Sequence, residues 1–301
     1  MPAIANLDGT LLPPAEARVS IFDRGFLAGD QVYEVVRTYR LAPFRLAAHL
    51  ARLVRSAERI GLPLPWDAAR LERELLRTVE ASRGGDPDDP AAAPWNRGER
   101  SVRVVVTRGA GEEAAALGVP PGPRVILAAL PLRGPPAAAY RDGVRCVLVH
   151  ARVPRADPLA KTGGHLAEAL AGIDARAAGA EEALFVDERG RVTEGASSNL
   201  FLVKAGRLVK PPLRAGILAG VTRGIVLDLA AAELPVEERE FGPEELAAAD
   251  EIFLTSTSRE VLPVTRLGDR PVGAGRVGPV ATSLQRRYRA LAGGAAPGGP
   301  G

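Results

Sequence analysis

Short apolar runs of strand length alternate along this chain with segments whose apolar residues recur at helical spacing. The pattern is interrupted at Gly134-Pro135-Pro136. Such a chain can bury both kinds of element only by layering helices on sheet. Leu46, Leu50, Leu53, Ala57 and Ile60 share one face of a helix that Gly61 stops, and Arg52, Arg55 and Arg59 line the opposite face. Val102 to Thr107 and Val125 to Leu132 read as buried strands, and Gly84 to Gly98 as a surface loop. Beyond the Gly-Pro-Pro break, Val144 to Val153 predicts a strand and residues 164–178 a helix closed by Gly179. Glu188-Arg189-Gly190 and Lys204-Ala205-Gly206 read as hairpin turns. A further helix follows Leu218-Ala219-Gly220-Val221, with Thr222 able to cap it, and the strand Ile252 to Thr255 runs into Ser256-Thr257-Ser258. The expected organisation is α/β (α+β type) in two domains, residues 1–133 and 137–292, with a disordered tail at 293–301.

Charge and cysteine usage narrow the function. The 39 basic and 36 acidic residues are interspersed and form no basic stripe, which argues against a nucleic-acid groove and for a small-molecule ligand. The single cysteine, Cys146, permits no intrachain disulfide and no Cys-based metal site, and it reads as a small core residue. No apolar run approaches the roughly 20 residues that span a bilayer, and the N-terminus lacks the pattern of a signal peptide. A cytoplasmic enzyme without a metal is the expectation.

Lysine is scarce: only Lys161, Lys204 and Lys210 stand among the 39 basic residues. Lys204 begins a hairpin turn and Lys210 precedes Pro211-Pro212, so both read as surface residues. Lys161 has no such explanation. An amine can lose its proton near neutral pH and form a Schiff base, whereas a guanidinium cannot. A lone lysine is on general grounds a solvated one, and its rarity here shifts the reading toward chemistry. Nucleotide-binding glycine motifs, H-E-x-x-H and C-x-x-C are absent. Lys161-Thr162-Gly163 matches the K-T-G of penicillin-binding enzymes, but no lysine has a serine three positions before it, so that reading fails.

Four segments stand in a definite order: Lys161, then Glu194 within Val192-Thr193-Glu194-Gly195-Ala196-Ser197-Ser198-Asn199, then Gly220-Val221-Thr222-Arg223, then Thr255-Ser256-Thr257-Ser258. Together with Asp23 to Asp30, Val32 to Arg37 and His49-Leu50-Ala51-Arg52-Leu53, they resemble the class IV aminotransferases, which are fold type IV pyridoxal-phosphate enzymes. The resemblance runs from about residue 20 to about residue 290. It implies a two-domain homodimer with the cofactor, pyridoxal 5′-phosphate, between the domains. It further implies that Lys161 holds the cofactor aldehyde and moves the substrate proton, and that Glu194 faces the pyridine nitrogen. Arg52, Val221, Thr222, Ser256 and Thr257 bind the phosphate in this family pattern. Tyr33 and Arg103 face the substrate, and His165 either reaches the site or is structural.

The family's branches differ at positions that can be compared. The D-amino-acid branch carries a basic pair after Thr-Arg-Gly, where this chain has Thr107-Arg108-Gly109-Ala110-Gly111-Glu112-Glu113-Ala114. Arg103 matches the branched-chain enzymes, although Leu166 stands where they usually carry a tyrosine. The lyase branch shows Asn-Arg shortly after the lysine, replaced here by Gly164-His165-Leu166. The expected activity is transfer of an amino group between a branched-chain-like L-amino acid and a 2-oxo acid. D-amino-acid transamination and aminodeoxychorismate lyase activity are the alternatives.

Overall fold

The computed structural model describes residues 3–83, 93–111, 122–153 and 157–293. The acidic stretch after Gly111, most of the expected 84–98 loop and nearly all of the tail lie outside these residues. The described residues form two units, one within Met1–Pro90, Asn96–Arg133 and Ala160–Gly164, the other within Ala91–Trp95, Gly134–Leu159 and His165–Gly301.

The first unit is built on strands β1 (Ile4–Leu7), β2 (Thr10–Leu12), β3 (Gln31–Tyr39), β4 (Ala42–Pro43), β5 (Arg100–Thr107) and β6 (Arg124–Pro131). They form an antiparallel sheet in the order β2-β1-β6-β5-β3-β4. Period-two alternation puts Val32 and Val36 of β3 and Val102, Val104 and Val106 of β5 on the buried face. Helices α2 (Leu46–Arg59) and α3 (Ala68–Ala81) supply Leu50, Leu53, Leu71 and Leu75 to the same core, while the short α1 (Arg24–Ala28) precedes β3. The helix expected over Leu46 to Ile60 therefore forms as its spacing predicts.

β4 pairs with Thr38 and Tyr39 at the far end of β3, which leaves the first residues of β3 open on that side. The chain around Lys161 takes the place. Val32 and Thr162 form an antiparallel bridge, Tyr33 N–H donates to Lys161 O at 2.9 Å, and Gly163 N–H donates to Gln31 O at 3.0 Å.

The second unit carries a sheet in the order β12-β11-β10-β13-β14-β7-β8-β9. Its strands are β7 (Val144–His150), β8 (Glu182–Val186), β9 (Val192–Gly195), β10 (Asn199–Lys204), β11 (Arg207–Lys210), β12 (Val236–Glu238), β13 (Glu251–Ser256) and β14 (Glu260–Leu267), with β15 (Arg270–Pro271) added to β14. Its helices are α4 (Ala137–Asp142), α5 (Leu166–Ala177), α6 (Val221–Ala231), α7 (Pro243–Ala247) and α8 (Pro279–Leu291). β8 and β10 are almost continuously buried, as expected of central strands covered on both faces. Phe201 and Phe253, opposite each other on β10 and β13, stack at 5.1 Å and form one core with Val226 of α6 and Leu284 of α8. Two expectations change here. β7 ends at His150 rather than Val153. The N-cap of α6 is Gly220, which makes Thr222 the second helical residue instead of the cap. Gly220 is required because a Cβ there would stand 2.0 Å from Asn199 Oδ1. Among the described residues no helix is long and apolar enough to cross a membrane.

Gly29 tests the docking of the Lys161 segment. Its φ is +66°, and a Cβ would stand 2.7 Å from Gly164 N. Gly29→Ala is expected to lower stability by about 1–3 kcal/mol for the left-handed backbone and more for the clash. Gly61→Ala, with φ +58° and no atom near its Cβ position, carries only the first cost. Equal losses in thermal melts of the two variants would show that the segment is not held tightly at Gly29.

Candidate active site

In the first unit Lys161 is half-buried, and its ammonium donates to Tyr33 Oη at 3.0 Å while lying 4.3 Å from the ring centroid. Tyr33 and Arg103 share the face of the sheet opposite the valine core, and the Arg103 guanidinium stands 4.9 Å from the same ring. One phenol thus holds the amine and carries a second cation against its ring. Lys161 N–H donates to Ser56 Oγ on α2 at 3.0 Å, which fixes its backbone from the helix side.

Arg52 departs from the solvated face that its helical position predicts. It is buried, and its Nε and Nη2 donate to the two carboxylate oxygens of Glu34 at 2.6 and 2.9 Å. Glu34 interrupts the Val32-Glu34-Val36 stripe of β3 and is fully buried, with His49 Nδ1 2.8 Å from its Oε2. Burial works to raise the Glu34 pKa, but the hydrogen bonds from Arg52 and His49 outweigh it and hold the carboxyl down at about 2.

In the second unit Glu194, at the end of β9, is buried and accepts from Asn199 Nδ2 at 2.9 Å and from Leu218 N–H at 3.1 Å. Asn199 Nδ2 also donates to Leu218 O at 2.9 Å. These bonds tie the loop that enters α6 to the start of β10. Val221 and Thr222 form the first turn of α6, whose amides have no carbonyl of their own helix to bond. Asn199 pairs with Thr255 across the ladder, so β13 brings Ser256 and Thr257 to the same end of the sheet. Ser198 Oγ, Thr255 Oγ1 and Arg223 Nε are buried there with no hydrogen-bond partner among the described residues. Buried donors of this kind, beside bare backbone at Gly220 and a helix N-terminus, fit a phosphorylated ring with an acceptor carboxylate opposite its nitrogen.

The expected residues are therefore gathered into two clusters: Lys161, Tyr33 and Arg103, with Arg52 on the helix-covered face, in the first unit, and Glu194, Val221, Thr222, Ser256 and Thr257 in the second. His165 precedes α5 with Nδ1 3.9 Å from Glu168. Sequence reading missed Glu34, His49, Ser56 and Asn199 as partners. A charge on an apolar β stripe, and polar residues on the apolar side of α2, were the available signals. It also misplaced Lys210, which is buried rather than on the surface.

The model of the Amino-transferase class IV family matches residues 31–267. The chain belongs to the class IV aminotransferases. It is an aminotransferase of a family that uses pyridoxal phosphate. The chain is 33% identical over 291 residues to a protein of Methanocaldococcus jannaschii described as a branched-chain-amino-acid aminotransferase, covering 94% of each chain. It is also 33% identical to a D-alanine aminotransferase of Bacillus licheniformis, covering 92% of this chain and 93% of the relative. Among solved structures, the branched-chain aminotransferase of the archaeon Thermoproteus uzoniensis with norvaline superposes with a TM-score of 0.84. It is 31% identical, with 96% of this chain and 94% of that chain covered. The fold type IV architecture implied by the resemblance is the fold of the chain.

The Glu34 carboxyl sets a pH dependence. Its pKa is depressed in the folded state, so its stabilisation is present above 4.5, the ordinary value, and is lost as pH falls from there toward about 2. Glu34→Gln leaves the Arg52 guanidinium buried without its counter-charge and is expected to cost about 3–5 kcal/mol near neutral pH. Melting curves across the acid range check both points; a variant as stable as the wild type would contradict the assignment.

Proposed function

We propose that this aminotransferase acts on L-amino acids with branched apolar side chains and passes the amino group to a 2-oxo acid. In this reading Lys161 binds pyridoxal 5′-phosphate covalently. The carrying observation is the Lys161 amine held 3.0 Å from the Tyr33 hydroxyl, with Arg103 over the same ring. When bound, the cofactor supplies an electron sink for the substrate Cα carbanion. The chain's residues do the rest. Once substrate has displaced it from the cofactor, Lys161 Nζ as the neutral amine, positioned by Tyr33, would take the proton from the substrate Cα and hand it to the cofactor carbon that bears the substrate nitrogen. The Glu194 carboxylate, an acceptor fixed by Asn199 and Leu218, keeps the pyridine nitrogen protonated. Val221 and Thr222 offer first-turn amides and the positive end of the α6 dipole to the phosphate, and Ser256 and Thr257 add donors from the end of β13.

Arg103 is the cation suited to the substrate carboxylate, and Tyr33 shapes the pocket beside it. Arg103 stands where the branched-chain enzymes place an arginine, which supports the branched-chain reading over the D-amino-acid one. A homodimer is supported by the exposed apolar residues Ile21, Phe22, Phe26 and Leu27, a cluster that water alone does not favour. The buried, unpaired Cys146 fits a cytoplasmic enzyme.

Addition of single amino acids to the cofactor-loaded enzyme tests the substrate. Loss of the visible cofactor band with L-leucine, L-isoleucine or L-valine is the expected result. Loss with D-alanine alone would move the chain to the D-amino-acid branch, and a band unmoved by every amino acid would favour the lyase. For the dimer, Phe26→Glu is expected to shift the protein to the monomer in sedimentation; a wild type that is already monomeric would overturn that part.

A further inference from the structure

Lys210 is a buried cation that the transamination chemistry does not use. It ends β11, and its side chain is 1% exposed. β11 and β12 run parallel with Lys210 opposite Glu238, and Lys210 Nζ donates to Glu238 Oε2 at 2.5 Å. Arg223, in the first turn of α6, donates from Nη2 to the same oxygen at 3.1 Å, while its Nε is buried with no hydrogen-bond partner among the described residues. One carboxylate, half-exposed, thus serves two buried cations, and the group carries a net positive charge.

Glu238 from β12 and Arg223 from α6 are the charged groups that face the Lys210 amine; Arg239 touches Lys210 only through its backbone N–H, 3.0 Å from Lys210 O. Burial pushes the Lys210 ammonium down to about 8, with Arg223 acting in the same direction and Glu238 against it. Burial also lowers Arg223, which Glu238 and Glu194 in turn support. The guanidinium keeps its proton throughout the neutral range, so Lys210 is the member of the group whose charge changes there.

We propose that Lys210 is a positioning residue for the phosphate site at the start of α6: its ammonium shares Glu238 with Arg223 and so leaves Arg223 incompletely neutralised beside that site. Loss of the Lys210 proton hands Glu238 wholly to Arg223 and removes one positive charge from beside the first turn, where Glu194 already acts on Arg223. This rests on the reading that Val221 and Thr222 receive the cofactor phosphate. Linkage then requires that a bound dianion hold the Lys210 proton more tightly, and that anion affinity fall as pH rises through the Lys210 titration. A merely structural lysine changes stability without this pH signature.

The test is titration of the full-length apoenzyme with pyridoxamine 5′-phosphate, which needs no bond to Lys161, and separately with inorganic phosphate. Wild type, Lys210→Arg and Lys210→Met are compared between about pH 7 and about pH 9.5, on either side of the Lys210 value. Wild-type affinity for both anions is expected to fall about fivefold or more over that range. Lys210→Arg, whose charge cannot be removed, is expected to stay tight throughout, and Lys210→Met to be weak and flat. If Lys210→Met does not fold, the wild-type and Lys210→Arg pair decides the question alone. Parallel pH slopes in wild type and Lys210→Arg would overturn the proposal while leaving the cofactor reading intact. Failure of every form to bind pyridoxamine 5′-phosphate at any pH would overturn the cofactor reading, and the proposal with it.

Discussion

The bridge between Val32 and Thr162 is the constraint on which the first unit's chemistry depends. β3 is short of a neighbour along its first residues, and the chain carrying Lys161 fills that edge. Backbone bonds on both sides of the lysine, to Tyr33 and Gln31, fix where its Cα stands. The side chain then reaches the Tyr33 hydroxyl. A flexible four-carbon stem is costly to order; strand pairing fixes its Cα, and the Tyr33 hydroxyl and ring hold its far end. Gly29 and Gly163 serve the same end, since a Cβ at either would meet the opposite backbone.

The two faces of β3 divide the labour. One presents Tyr33 beside Arg103 from β5. The other, packed under α2, encloses Glu34 with Arg52 and His49. A buried carboxylate among valines is tolerable only because two donors satisfy it. In the second unit Glu194 is handled in the same way, by Asn199 and the Leu218 amide. There the bonds do more than satisfy a charge: they hold the entry to α6 against the end of β10 and leave Gly220 packed on Asn199.

The fold was legible where order is local. The apolar spacing of Leu46 to Ile60 and the valine alternation of β5 specify their elements without help from elsewhere. Lys161 stood out because lysine is so rare in this chain. What escaped the sequence depends on partners far along the chain. Arg52 looks solvated until β3 delivers Glu34 to it, and Lys210 looks like a surface residue before Pro211-Pro212 until the parallel pairing with β12 places Glu238 over it, 28 positions away. Thr222 has the chemistry of a cap, but the close approach of Asn199 admits only glycine at the cap position, and the helix begins there.

The proposed activity requires that Lys161, alone among the three lysines, carry the cofactor. Borohydride reduction of the holoenzyme, followed by mass-spectrometric mapping of the pyridoxyl group, tests it directly. The label is expected on Lys161 and on neither Lys204 nor Lys210. A label on either of those residues, with Lys161 unmodified, would contradict it.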